Sequence, residues 1–148
     1  MKKNKFKIAI TQRINFSKKR QEKSDSLDLK LKNLVFSLGY IPIIVPNILD
    51  KKSNFLEWYN IFKPDGFILS GGNDLKQYPI RDKIEMHILK LASKNAIPLL
   101  GICRGMEIMA VWGGASLIKI NNHVGTKHNF KKKNFPKKVN SFHDFAVV

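Results

Sequence analysis

The sequence predicts an α/β fold in which helices cover both faces of a mainly parallel sheet. Three observations support this prediction. Short apolar segments typical of strands alternate with segments whose apolar residues recur at helical spacing. Residues 97–102 form a nearly continuous apolar run, as in strands buried on both faces. Glycines stand where strand and helix patterns meet. We therefore expect one three-layer domain over residues 5–148.

The first half of the chain shows two strand patterns separated by a helix pattern. Residues 6–11 and 40–45 are the predicted strands. Ser24 and Asp25 can cap the intervening helix, and Gly39 can end it. The apolar positions of this helix follow the 3.6-residue period: Leu27, Leu31, Leu34, Val35 and Leu38.

The second half repeats the alternation. An aromatic segment at 55–62 predicts a short helix, and residues 66–70 predict the third strand. An amphipathic helix is expected over about 80–95. The fourth strand, at 97–102, leads into a tight turn and a helix that the glycines at 113–114 close.

Composition limits the class of protein. The chain has 148 residues, 43% of them hydrophobic, which is typical of a globular domain and not of a disordered chain. A single cysteine excludes an internal disulfide and fits a reducing compartment. The apolar stretch after the basic N-terminus is too short for a signal peptide or a membrane span. We therefore expect a cytoplasmic protein.

The formal net charge of +16 suggests nucleic-acid binding, but the distribution of the charge argues against it. Only four of the 27 basic residues are arginine, and the lysines are spread along the chain. The clusters at 131–133 and 137–138 are expected in a solvated loop. We expect no nucleic-acid partner, although a positive field would help to recruit an anionic substrate.

Cys103 lies between Gly101 and Gly105 at the predicted junction of strand and helix. Flanking glycines let the backbone turn sharply and expose the side chain at the apex, as in nucleophile elbows. The N-terminus of the following helix would favour negative charge there. A lone cysteine is also common as an inert core residue. The glycine pair favours a nucleophile.

A second glycine pair, Gly71 and Gly72, ends the third predicted strand. Ligands bind at the carboxyl ends of strands in parallel sheets, so this loop is expected beside Cys103. Its backbone could point an N–H at a developing oxyanion, with the N–H of Arg104 as the second donor. The alternative is a plain turn. The neighbouring elbow favours the catalytic interpretation.

Charged residues open the helix after this loop. Arg81, Asp82 and Glu85 could form surface pairs one turn apart and complement the helix dipole. Alternatively, Arg81 could clamp a substrate carboxylate with its planar guanidinium. The sequence leaves both interpretations open.

The four histidines have different expected roles. His87 is expected to be solvated on a lysine-rich helix face. His123 and His128 are spaced like metal ligands, but no nearby cysteine or carboxylate completes a set, so no metal site is expected. His143 is the remaining candidate for a general base acting on Cys103.

These motifs resemble the class I glutamine amidotransferase-like superfamily, and within it the γ-glutamyl hydrolase branch, peptidase family C26. The arginine after Cys103 favours the hydrolase branch over synthase-coupled glutaminases. Thr-Gln-Arg at 11–13 also resembles the γ-glutamyl-CDP-amidate hydrolases of capsule phosphoramidate synthesis. The segments that carry the resemblance, in family order, are 8–13, 69–74, 81–85, 101–107, 112–117 and 139–143.

The resemblance implies a flavodoxin-like glutamine amidotransferase fold that needs no cofactor and has no membrane partner. It implies hydrolysis of a small, anionic γ-glutamyl amide through a γ-glutamyl thioester on Cys103. The N–H groups of Gly72 and Arg104 would hold the oxyanion. Four further residues match positions around the substrate pocket: Gly71, Arg81, Glu107 and His143.

The sequence departs from the family pattern in the catalytic triad. The family's triad ends in His-Pro-Glu or a close variant beyond the Asn-Ser-Phe-His segment, whereas this sequence ends at Val148. His143 aligns with a pocket-loop histidine and not with the triad base. The resemblance thus implies a C-terminally truncated copy that lacks the last elements of the fold and is impaired in catalysis. The alternatives are a glutaminase subunit that supplies ammonia to a synthase partner, and an inactive homologue.

Overall fold

A computed structural model describes residues 5–129 and 138–148, and a four-stranded parallel sheet lies at its centre. The strands are β1 (Lys7–Ile10), β2 (Arg13–Ser17), β3 (Glu22–Ser26), β4 (Ile41–Ile44), β5 (Gly66–Leu69), β6 (Leu99–Gly101), β7 (Leu117–Lys119), β8 (Val124–Asn129), β9 (Lys138–Phe142) and β10 (Phe145–Val147). The helices are α1 (Leu29–Ser37), α2 (Lys52–Phe62), α3 (Pro79–Asn95) and α4 (Arg104–Trp112).

The central sheet has the order β4-β1-β5-β6. Ile10 lies opposite both Ile44 and Ile68, and Leu69 lies opposite Gly101. The carboxyl ends of β1, β5 and β6 therefore meet at one edge. This edge carries the glycine loop after β5 and the cysteine turn after β6, as the sequence predicted.

Helices cover both faces of the sheet. On one face, Val35 of α1 packs with Ile10 and Ile68. The other face, covered by α2, α3 and α4, buries a larger cluster: Ala9, Val45, Leu49, Phe55, Trp58, Phe67, Leu69, Ile84, Ile88, Leu89 and Ile108. The three-layer α/β prediction is confirmed.

The predicted cap of the first helix is wrong. Ser24 and Asp25 belong to β3, which pairs antiparallel with β2 in a hairpin. The cap is Asp28, whose Oδ1 accepts a hydrogen bond from the N–H of Lys30 at 2.8 Å. The carboxylate of Asp25 instead accepts from the backbone and side-chain amides of Asn47, which ties the hairpin to the end of β4.

His87 also differs from its prediction. Its ring is half-buried and stacks on Phe55, with 5.7 Å between the ring centroids. Its Nε2 lies 2.9 Å from the carbonyl oxygen of Asp50. The helix face that carries this histidine therefore packs against α2, although lysines surround it in the sequence.

Two antiparallel pairs, β7 with β10 and β8 with β9, complete the described structure. The sequence pattern did not predict these short strands. The lysine cluster at 131–133 lies outside the described residues. Within the described residues, no helix is both long and apolar enough to span a bilayer.

Candidate active site

Cys103 lies at the apex of a tight turn between β6 and α4. Its φ of 54° and ψ of −117° place a non-glycine residue in a sparsely populated backbone region, and its side chain is exposed. Its carbonyl accepts hydrogen bonds from the N–H groups of Met106 and Glu107, at 2.8 and 3.1 Å. The sulfur therefore stands at the N-terminus of α4, on a backbone held by the first helical turn.

The two glycines around the cysteine are required by close backbone contacts. A Cβ on Gly105 would lie 2.0 Å from the carbonyl oxygen of Leu69 in β5. A Cβ on Gly101 would lie 2.6 Å from the backbone of Gly105. Helix α4 thus begins directly against the sheet, and only glycine permits this approach.

The glycine loop after β5 lies beside the sulfur. A Cβ on Gly71 would lie 3.2 Å from the Cβ of Cys103 and 3.8 Å from its Sγ. Gly72 has a φ of +80°, which other residues rarely adopt. No hydrogen bond within the described residues uses the N–H of Gly72 or of Arg104. Both donors are therefore available near the cysteine.

The guanidinium of Arg81 binds this loop through its backbone carbonyl groups. Its Nη2 donates to the carbonyl oxygens of Ser70 and Gly71, at 2.7 and 3.1 Å. Its Nη1 donates to the carbonyl of Gly72 and, at 3.2 Å, to Oδ1 of Asn73. The side chain is completely buried. Arg81 therefore neither forms a surface ion pair nor binds a substrate carboxylate directly, because its guanidinium donates its hydrogen bonds to the loop and to Glu85.

A buried ionic network extends from Arg81 to the cysteine helix. Oε1 of Glu85 accepts from Nε of Arg81 at 3.1 Å and from the hydroxyl of Thr11 at 2.9 Å. Oε2 of Glu85 accepts from Arg104, which also donates to Asp82. Two cations thus meet two carboxylates. Burial lowers the pKa of Arg81 to about 10, although Glu85 opposes this shift, so the guanidinium stays charged at neutral pH.

A cavity of about 600 Å³ opens on the other side of Cys103. Its lining consists of Ile102, Cys103, Met106, Glu107, Asn140, Ser141, His143, Phe145, Ala146 and Val147. The structure therefore brings Glu107 and His143 to the same cavity as the cysteine.

His143 is fixed by its hydrogen bond within the cavity wall. Its Nδ1 lies 2.7 Å from the carbonyl oxygen of Phe145, which can only accept, so this nitrogen carries the proton. In the neutral form of the imidazole, Nε2 is then the acceptor. The ring of His123 packs edge-on against it, with centroids 5.2 Å apart. Among the described residues, no group of three or more His, Cys, Asp or Glu side chains could hold a metal.

Glu107 and Ser141 are buried polar groups in the same wall. Glu107 lies one helical turn after Cys103, and burial raises the pKa of its carboxyl. The charge of Asp74 adds to this shift. Ser141 is 4% exposed, and its hydroxyl has no hydrogen-bond partner within the described structure. Ser141 is not among the site residues that the sequence predicted, although it lies in the Asn-Ser-Phe-His segment that carried the resemblance.

A second cavity, of about 390 Å³, borders the glycine loop. Its lining includes two cations and one carboxylate and consists of Arg13, Ser26, Leu27, Asp28, Lys30, Leu31, Leu34, Ser70, Gly71, Gly72 and Ile102. Among the described residues, no ion pair involves either of these two cations. This basic cavity adjoins the loop that carries the predicted oxyanion donor.

Comparisons with known proteins bear on the family and the fold. The sequence model of the Peptidase C26 family matches residues 8–148. A γ-glutamyl-CDP-amidate hydrolase from Campylobacter jejuni is 34% identical, over 95% of this chain and 71% of that protein. A γ-glutamyl-γ-aminobutyrate hydrolase from Escherichia coli is 31% identical, over 64% of this chain and 41% of that protein.

A solved structure shows the same fold. A glutamine amidotransferase from Thermotoga maritima superposes with a TM-score of 0.61 and 17% identity. The superposition covers 97% of this chain and 62% of that one. The chain thus spans between 41% and 71% of these three proteins. It belongs to the peptidase C26 family of the class I glutamine amidotransferase-like superfamily.

Proposed function

We propose that this chain hydrolyses γ-glutamyl amides with Cys103 as the nucleophile. The observation that carries the proposal is the position of an exposed sulfur on a strained turn, against the Gly71–Gly72 loop. The free N–H groups of Gly72 and Arg104 are the proposed oxyanion donors. Such preorganised donors contribute roughly 3 kcal/mol each in acyl transfer.

The reaction proceeds in two steps. Sγ of Cys103 bonds to the carbon of the γ-carbonyl group, whose oxygen becomes an oxyanion. The C=O bond then reforms as the C–N bond breaks, and the thiol proton passes to the departing nitrogen. Water then adds to the thioester carbonyl, and the sulfur leaves and regains a proton. The products are free glutamate and the amine.

The substrate proposed is γ-glutamyl-CDP-amidate or a related anionic amide. The similarity to the Campylobacter hydrolase supports this choice, and the capsule role that the resemblance implies depends on it. In our proposal Glu107 and His143 contact the γ-glutamyl group in the larger cavity. Arg13 and Lys30 attract the phosphates of the leaving group in the basic cavity. A cytoplasmic location would keep the thiol reduced.

The test is release of glutamate from three substrates: γ-glutamyl-CDP-amidate, γ-glutamyl-γ-aminobutyrate and glutamine. We expect the first to be cleaved fastest, and Cys103→Ala to abolish cleavage of all three. A preference for glutamine that arises only with a synthase partner would support the glutaminase alternative. No glutamate release and no acylation of Cys103 would refute the proposed function.

The role of the basic cavity is tested separately by Arg13→Gln. We expect kcat/KM for γ-glutamyl-CDP-amidate to fall about tenfold, because one charge-assisted contact to phosphate is lost. Cleavage of γ-glutamyl p-nitroanilide, whose leaving group is uncharged, should be unchanged. Lys18→Gln, on the exposed end of the hairpin, is the control. Equal losses of kcat/KM on both substrates would contradict the assignment of Arg13 to phosphate binding.

A further inference from the structure

We infer that Arg81 is a positioning residue that sets the orientation of the oxyanion loop, so that the oxyanion site is complete in the free chain. This inference rests on the proposed function, since it explains how the Gly72 donor is presented. Arg81 acts through the backbone of Ser70, Gly71 and Gly72. It does not touch the substrate.

Arg81 determines the direction of three consecutive peptide groups in the loop. The carbonyls of Ser70, Gly71 and Gly72 all accept from the one buried guanidinium. In a planar trans peptide, the C=O of one residue and the N–H of the next point in opposite directions. The N–H groups of Gly71, Gly72 and Asn73 therefore point away from Arg81.

These peptide groups need an anchor from outside the loop. Two glycines in sequence allow the peptide between them to rotate at little steric cost, and Gly72 lies at a positive φ. The planar fork of an arginine can bind several carbonyls at once and so select one orientation. The far end of the loop has a second anchor besides Arg81, because the Asn73 amide bonds both the N–H and the carbonyl of Ile14.

The second oxyanion donor, the N–H of Arg104, is connected to the loop through Glu85. Glu85 accepts hydrogen bonds from Arg81 with one carboxylate oxygen and from Arg104 with the other. Arg81 holds the loop that carries the Gly72 N–H, and Arg104 begins the helix that carries the other free N–H. One buried carboxylate thus fixes both halves of the oxyanion site relative to each other. This arrangement needs no partner chain to form.

The experiment compares two reactions of the same sulfur. Acylation by γ-glutamyl p-nitroanilide needs an oxyanion site, whereas alkylation by iodoacetamide proceeds by displacement and needs none. We expect Arg81→Lys, which keeps the charge and loses the planar fork, to slow acylation about 100-fold or more. The loss should fall on the acylation rate constant and leave KM nearly unchanged. Alkylation should stay within about twofold of the wild type, since access to the sulfur is unaltered.

Two controls separate positioning from folding. Lys83→Gln, an exposed site on the same helix, should acylate at the wild-type rate. If Arg81→Lys fails to fold, the double variant Arg81→Gln/Glu85→Gln, which leaves the net charge unchanged, replaces it. We expect the same result, slower acylation with unchanged alkylation. In Arg81→Ala, millimolar guanidinium should restore part of the acylation rate, and sodium at equal ionic strength should not.

The outcomes are distinct. A folded Arg81→Lys variant that acylates at the wild-type rate overturns the inference and leaves the proposed function intact. Equal losses of acylation and alkylation also overturn it, because the effect would then lie in the sulfur's surroundings. Absence of acylation in the wild-type chain refutes the proposed function and the inference with it. Acylation of the wild type only after a partner is added contradicts the inference alone.

Discussion

The two sides of Cys103 differ in how their polar groups are satisfied. On the loop side, every nitrogen of the Arg81 guanidinium donates to a protein oxygen. On the cavity side, the Ser141 hydroxyl is buried without a partner in the described structure, and the bond to Phe145 occupies one ring nitrogen of His143. The Arg81 guanidinium is therefore unavailable to ligands, whereas the cavity side keeps donors and acceptors unused.

This difference indicates a division of tasks. Groups that stabilise a transition state must be held in place before the reaction, and the hydrogen bonds of Arg81 beneath the loop provide this. Groups that recognise a substrate exchange water for ligand, so their hydrogen-bonding capacity must remain open in the free protein. The comparison predicts large stability effects on the loop side and binding effects on the cavity side.

Removing the central carboxylate of the loop side should have the largest effect on stability. Glu85→Gln leaves two buried guanidinium groups short of a counter-charge, and we expect a loss of about 3–5 kcal/mol in the free energy of unfolding. Asp82→Asn is the matched control. Its carboxylate is 22% exposed, so the loss should be nearer 1 kcal/mol. Urea denaturation measures both, and equal losses would remove the distinction between the two carboxylates.

Glu107 should make stability depend on pH. Because burial raises its pKa in the folded state, folding favours the protonated form, and its contribution to stability falls as pH rises above the ordinary value of 4.5. Glu107→Gln lacks this dependence. The variant should melt at the same temperature as the wild type near pH 4 and at a higher temperature at pH 8. A difference in Tm that is constant across this range would contradict the assigned shift.

Ser141→Ala should show the smallest change in stability. The hydroxyl has no partner to lose among the described residues, so the free energy of unfolding should stay within about 0.5 kcal/mol of the wild type or rise slightly. If the hydroxyl binds substrate, KM should increase several-fold with little change in kcat. A loss above 1 kcal/mol in the free energy of unfolding would show that the Ser141 hydroxyl stabilises the fold, as the polar groups on the loop side do.

The elbow and the sheet could be predicted because their signals are local. Gly101, Cys103 and Gly105 report a sharp turn by themselves, and the apolar runs of β1, β5 and β6 mark buried strands. The hairpin of β2 and β3 could not be predicted, because β3 is polar throughout and lacks an alternating pattern. Ser24 and Asp25 therefore resembled a helix cap.

The role of Arg81 could not be predicted for a different reason. A charged residue at the start of a helix is usually solvated, and only the packing of α3 beneath the sheet edge buries it. Its own partners, Ser70 to Asn73 and Glu85, are local in sequence, but Thr11 and Arg104 bond to Glu85 only through the tertiary fold. Short strands such as β7 and β10 likewise depend on pairing partners far apart in the chain.

The most direct test of the account is a single-turnover reaction of the chain with γ-glutamyl p-nitroanilide, quenched in acid and mapped by peptide mass spectrometry. We predict a burst of p-nitroaniline, accompanied by one γ-glutamyl group per chain on the peptide that contains Cys103, before free glutamate accumulates. Glutamate release without this adduct, or an adduct on any other residue, would contradict the assignment of Cys103 as the nucleophile.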